Sequence, residues 1–418
     1  MILAYCNENF LNLQSHHMSE KIEEKKKTFQ NNNPGEKIIS FNTNEEINFL
    51  VPAVIKAMES AINDLSEAKG AYEVDSGQGY GFLREKIAEH DFKRRHCDIT
   101  KDEIFINNSA EADIANMQEL FSSAEIVGVT DPADPIYIDS NVIAGRSGKF
   151  IDSFFNKLEY LSCYRECDYK PVLPSHDPKL IYICSPNNIT GVVLSKKDLT
   201  MWVRFAKQTG SIIFFDARYE AFHQDETIPH SIYEIDGAKE VAAEFRSYTK
   251  IPGLSGLQCG YTVIPADLIL ERKKSDETVR VHQLWKQWKA CKSERCSYII
   301  QRGMEAVYTA EGRKQIQDVL SGYQKNAQFM IKELLRMNLD VAGGVNSPYI
   351  WVTTPDGMSS WDFFDYLLGQ TGIISVPGIE FGPAGEGYVR LHALNTPEIT
   401  EQAMNKMAEA VKNLNKGQ

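Results

Sequence analysis

Short, fully apolar runs alternate with amphipathic stretches through the middle of this chain. Ile104-Phe105-Ile106, Ile126-Val127-Gly128-Val129 and residues 180–184, 211–215 and 258–264 read as strands. Apolar side chains at consecutive positions imply strands covered on both faces. Helix patterns lie between them, for example at 196–208. Residues 51–65 place Val54, Ile55, Met58 and Ile62 on one helical stripe. A Gly-rich loop at 75–81 leads into another helix at 82–88. This alternation predicts an α/β fold with a mostly parallel sheet covered by helices. A long helical region from about 275 to 337 then bridges to a smaller α+β unit, with strands at 349–352 and 388–391.

Length and composition narrow the class. At 418 residues the chain exceeds a usual single core, so two packed domains are expected. Residues 1–50 read as an N-terminal arm and part of the small domain, 51–300 as the large domain, and 301–418 as a linking helix and C-terminal small domain. The basic helix-like stretch at 20–27 suits an arm that packs on a neighbour or on a domain surface. Hydrophobic residues make up 43% and charged residues 24%, which argues against disorder. A net charge of −12 argues against a nucleic-acid partner. No apolar run is long enough to span a bilayer, and the first residues lack a signal-peptide pattern. The eight cysteines show no metal-ligand spacing and read as reduced thiols of a cytoplasmic protein. The Gly77–Gly81 loop is neither a Walker A loop nor a dinucleotide fingerprint.

The candidate chemistry sits just after the apolar runs, where open α/β sheets place ligands. In chain order come Ser185-Pro186-Asn187-Asn188-Ile189-Thr190-Gly191, then Phe215-Asp216-Ala217-Arg218-Tyr219, then Ser247-Tyr248-Thr249-Lys250. Together they can hold a pyridoxal 5′-phosphate (PLP) ring. Lys250 suits a Schiff base and a later proton transfer. Asp216 suits the pyridinium nitrogen, and an anion there stabilises a carbanion. Asn188 and Tyr219 suit the phenolic oxygen, and Asn188 is a candidate for the substrate as well, although Asn is equally at home in a turn and Tyr in a core. Arg390 stands in an apolar strand and needs a partner, either a substrate carboxylate taken as a bidentate pair or an internal carboxylate.

The chain resembles the LL-diaminopimelate aminotransferase group of the fold-type-I PLP enzymes. The likeness runs through Asn7-Glu8-Asn9-Phe10 and residues 50–57, 137–146, 228–240, 297–302 and 357–364. These are long strings rather than short generic motifs. The resemblance implies a large PLP-carrying domain and amino transfer between an amino acid and a 2-oxo acid. It also implies a homodimer, or a heterodimer with a close homologue, whose sites share residues across the interface.

The departures cluster on the phosphate side. The family's Asp-Gly-Ala-Lys loop is Asn108-Ser109-Ala110-Glu111 here, and its phosphate arginine is Gln258. Its partner-directed tyrosine aligns with Val74, with Tyr72 close by, and its ring-stacking aromatic aligns with Asp134. Other departures are Asn42-Thr43-Asn44-Glu45, Lys292-Ser293-Glu294-Arg295 and Ile251-Pro252-Gly253 after the lysine. Backbone N–H groups at a helix N-terminus around Ser109 and Ala110, with Ser247 and Thr249, remain as phosphate donors. Three readings follow: an aminotransferase with an altered substrate, a weak or inactive paralogue serving as a structural or regulatory subunit, or a PLP enzyme of other Cα, Cβ or Cγ chemistry.

Overall fold

The computed structural model describes residues 4–14, 16–42, 49–66, 77–251, 253–254, 256–292, 295–355 and 357–416. Val74, Tyr72, residues 43–48, Ser293, Glu294 and Pro252 therefore lie outside the described residues. Seven strands build the main sheet: β1 (Ile104–Asn107), β2 (Val127–Asp131), β3 (Leu158–Ser162), β4 (Leu180–Cys184), β5 (Ile212–Asp216), β6 (Ala242–Ser247) and β7 (Gly260–Val263). Their spatial order is β1-β7-β6-β5-β4-β2-β3. β7 runs antiparallel to both neighbours, and every other pairing in this sheet is parallel.

The consecutive apolar positions have the predicted cause. Ile181, Ile183, Ile213 and Phe215 enter one buried cluster, while Leu180, Tyr182, Ile212 and Phe214 enter the cluster on the opposite face. Each fully buried side chain of this kind contributes about 1.5–3 kcal/mol. Both faces of β4 and β5 are therefore sealed by apolar side chains up to the strand ends.

A second, antiparallel sheet joins Val341–Gly343, Tyr349–Thr353, Tyr388–His392 and Val376–Pro377 in that order. Ile350, Val352, Leu391, Phe363, Leu367 and Met404 pack beneath it, the last three from the helices Ser360–Thr371 and Pro397–Lys416. The N-terminal strand Ile39–Ser40 pairs in parallel with Ile373–Ile374, stitching the start of the chain to its C-terminal third.

The expected long helical region is broken into pieces. A short strand, Thr278–Arg280, precedes helices Val281–Lys292, Tyr298–Glu305 and Ala310–Arg336. Ser297 and Thr309 cause two of the restarts. Their side chains accept hydrogen bonds from Ile300 N and Gly312 N, which is how N-caps begin new helices.

The two sheets meet at the turn after β4. Gly191 there has φ +71°, and a Cβ added to it would lie 2.3 Å from the Tyr349 carbonyl oxygen and 2.8 Å from Gly343 Cα. Both obstacles are backbone and cannot swing away. Gly191→Ala is expected to cost about 2 kcal/mol or more. Urea unfolding checks this, and a midpoint equal to that of the parent contradicts the close approach.

Candidate functional site

Five strands end at one place. β1 leads to Ser109 and Glu111, β2 to Asp134, β4 to Asn188, β5 to Asp216, Arg218 and Tyr219, and β6 to Ser247, Thr249 and Lys250. β1, β2, β4, β5 and β6 all point the same way, so these residues gather at their carboxyl ends. The residues singled out in the sequence are thus neighbours in space.

The centre of the site is Arg218. Its side chain is only 1% exposed. Nε donates to Asp216 Oδ1 and Oδ2 at 2.9 Å each, and Nη2 donates to Asp216 Oδ2 at 2.7 Å. Nη2 also reaches Asp134 Oδ2 at 2.7 Å, and Nη1 reaches Glu111 Oε1 at 2.7 Å. The same Glu111 oxygen lies 3.2 Å from Lys250 Nζ. Two cations are thereby interleaved with three carboxylates. The three anions hold the Arg218 guanidinium well above its usual range, although burial works against its charge. Burial alone would raise the Asp134 carboxyl. Arg218, with hydrogen bonds from Ile136 N and Asn188, instead holds it below its ordinary value.

Every group assigned to a PLP ring has a partner inside the chain. Asp216 Oδ1 accepts from Arg218 N at 3.1 Å, and its Oδ2 accepts from Tyr137 Oη at 2.5 Å, beyond the Arg218 side-chain bonds. Asn188 turns its donor Nδ2 to Asp134 at 2.6 Å and leaves its buried Oδ1 without a hydrogen bond. Tyr219 Oη meets Tyr349 Oη at 2.8 Å. Ser109 serves as N-cap of the helix Ala110–Met117 and accepts from Ala112 N, while Ala110 is buried at its first position. Ser247 is buried, and the Thr249 hydroxyl donates to the Leu257 carbonyl at 2.8 Å. Glu111 faces Arg218 and Lys250 rather than standing alone in the phosphate cup, and Gln258, in the segment between β6 and β7, is exposed. As arranged, these residues do not fit PLP. Asp216 offers no vacant oxygen to a pyridinium, and the guanidinium lies between Asp216 and the Glu111–Lys250 pair.

Arg390 behaves differently. It is 7% exposed in the strand Tyr388–His392. Nη1 donates to the Asn188 carbonyl at 2.8 Å, and Cζ lies 4.5 Å and 4.6 Å from the Tyr349 and Phe381 ring centroids. Nε is buried without a hydrogen bond, and among the described residues no carboxylate pairs with it. The internal ion pair considered from sequence is absent there, and the site retains an unused guanidinium face.

Sequence reasoning missed Arg218 and Tyr137. Tyr137 had no signal beyond an aromatic in a helix. Arg218 had one: two departures from the family pattern, Glu111 and Asp134, add negative charge close to Asp216, and a new cation nearby is the natural counterweight.

The family model for class I and II aminotransferases matches residues 36–411. The LL-diaminopimelate aminotransferase of Lawsonia intracellularis is 44% identical over 98% of this chain and 100% of its own length. That of Methanosphaera stadtmanae is 42% identical, over 96% and 98%. The solved L,L-diaminopimelate aminotransferase of Chlamydomonas reinhardtii superposes with a TM-score of 0.91 at 34% identity, covering 98% of this chain and 99% of its own. Among the described residues no metal cluster occurs, and no helix is long and apolar enough to cross a membrane.

The depressed Asp134 carboxyl makes part of the stability pH-dependent. A carboxylate whose folded pKa lies below its unfolded value contributes stability above the ordinary carboxylate range. That contribution is lost as pH falls through the lowered value. Asp134→Asn is therefore expected to destabilise the protein by about 1–3 kcal/mol at neutral pH. The gap to the parent should close in acid, below pH ~4. Denaturant melts across pH check this, and a gap that persists undiminished in acid contradicts it.

Proposed function

The chain belongs to the class I and II aminotransferases, PLP-dependent transferase enzymes of fold type I, and from that premise we propose that it moves an amino group between an amino acid and a 2-oxo acid. LL-diaminopimelate is the donor to try first, because relatives that span nearly the whole chain carry its name. The expectation of an altered substrate has no support from those relatives.

The observation that carries the reading is Arg390. A buried guanidinium with an unused donor calls for an acceptor, and an anionic one pairs with it most strongly. The α-carboxylate common to amino acids and 2-oxo acids supplies one in fork geometry. Tyr349 and Phe381 flank the guanidinium and keep water from it, and the Asn188 carbonyl fixes its orientation. Family members use PLP as the electron sink. Here Arg218 holds the Asp216 carboxylate that the resemblance gives to the ring, so this reading includes the departure of Arg218 before transfer. The same network favours a second reading, a weak or non-catalytic paralogue that keeps the carboxylate subsite.

Dimerisation, with a second copy or a close homologue, is part of the proposal. Tyr5, Phe10 and Leu11 on the N-terminal arm are 99%, 53% and 75% exposed, and Asn9 ties that arm to its own chain by a side-chain bond to the Ile143 carbonyl. A cytoplasmic setting suits the metabolite substrates and the eight unpaired cysteines.

The test is an amino-transfer assay with LL-diaminopimelate and a 2-oxo acid at saturating PLP, together with calorimetric binding of the 2-oxo acid. Arg390→Ala is expected to weaken that binding by at least about tenfold, the loss of a charge-assisted pair. Equal binding by parent and variant overturns the Arg390 assignment. Absence of transfer in a parent that binds the 2-oxo acid leaves the second reading in place of the first.

A further inference from the structure

We infer that Arg218 is a built-in occupant of the ring place, taking over the role of a protonated pyridine toward Asp216, and that PLP can bind only by displacing it. This rests on Lys250, Asp216, Asn188 and Tyr219 marking the ring place, and not on amino transfer itself. Three features support it. First, Arg218 satisfies the Asp216 carboxylate twice over, through its backbone N–H and its side chain, in a setting with almost no solvent. The guanidinium supplies Asp216 with the compensating positive charge that a pyridinium would bring, through a fork of donors in place of a single N–H. Second, the guanidinium reaches beyond Asp216 to two more groups around that place. It bonds to Asp134, where the resembling family has its stacking aromatic, and to Glu111, which in turn contacts Lys250. Third, the ring donor Asn188 Nδ2 is spent on Asp134, the same carboxylate that Arg218 holds. The plug therefore withdraws the aspartate, the amide and the lysine from the ring at once.

Charge points the same way. Arg218 and Lys250 against Glu111, Asp134 and Asp216 leave the cluster formally one negative charge in excess. A phosphate entering it meets Glu111 rather than a lysine. Removing Arg218 alone would leave three carboxylates facing one lysine. The informative variant therefore replaces all three partners at once: Arg218→Ala, Asp134→Tyr and Glu111→Lys.

The experiment is equilibrium dialysis of PLP against the full-length parent, this triple variant and the single variant Arg218→Ala. It is read together with the visible band that appears when the Lys250 amine condenses with the PLP aldehyde and releases one water. Circular dichroism confirms that each protein is folded. Expected are weak binding and little band in the parent. In the triple variant, binding should be at least 100-fold tighter, with a band abolished by adding Lys250→Ala. Arg218→Ala, if folded, should fall between the two. A stoichiometric band in the parent at micromolar PLP overturns the inference. So does a folded triple variant that binds PLP no better than the parent. Either result is independent of whether LL-diaminopimelate is a substrate, because no turnover is measured.

Discussion

The pairing of one guanidinium with three carboxylates organises the strand ends. Glu111 follows β1, Asp134 follows β2, and Asp216 and Arg218 flank the end of β5. Burying a charge is costly unless it is paired and hydrogen-bonded, and Arg218 and Asp216 are almost completely buried. Each is tolerated because the other is there. Asp134, 16% exposed, and Glu111, 45% exposed, carry the network outward to solvent. The pair at the core is thus dry and stiff, while the Glu111 contact is softened by water.

From this centre the constraint passes to the second sheet. Asp134 orients Asn188 through its amide, the Asn188 carbonyl orients Arg390, and Tyr219 hydrogen-bonds Tyr349. Gly191 lets the turn bearing Asn188 approach the backbone of Tyr349 and Gly343. Arg390 is therefore linked to Arg218 through Asn188 and Asp134, although the two arginines do not touch.

The fold was largely legible in the sequence because the apolar burial that drives it follows a local, periodic pattern. Two-faced apolar runs such as 180–184 and 211–215 can only be central strands once helices lie between them, and both are found within a residue of the expected bounds. The helix breaks at Ser297 and Thr309 were less visible, since a capping hydroxyl is one atom in an otherwise helical pattern. The location of the site was also legible, because strand ends collect polar residues. Its state was not. Lys250, Asp216, Asn188 and Tyr219 were expected to wait for a ligand, yet each has a partner within the chain. Partner choice among charges depends on three-dimensional separations of a few ångströms, and no spacing along the chain encodes that Glu111, Asp134 and Arg218 converge.

The same mutual dependence makes the site hard to change one residue at a time. Placing alanine at 218 strands the Asp216 carboxylate, and uncompensated buried charge costs about 3–5 kcal/mol. Placing lysine at 111 sets a second cation against Lys250, and an aromatic at 134 meets the guanidinium while removing one of its anions. Each step toward an open ring place is uphill until the others have occurred. The cluster works as a ratchet in sequence space: Arg218 and its acidic partners are installed or removed most easily together, because each leaves the others unpaired.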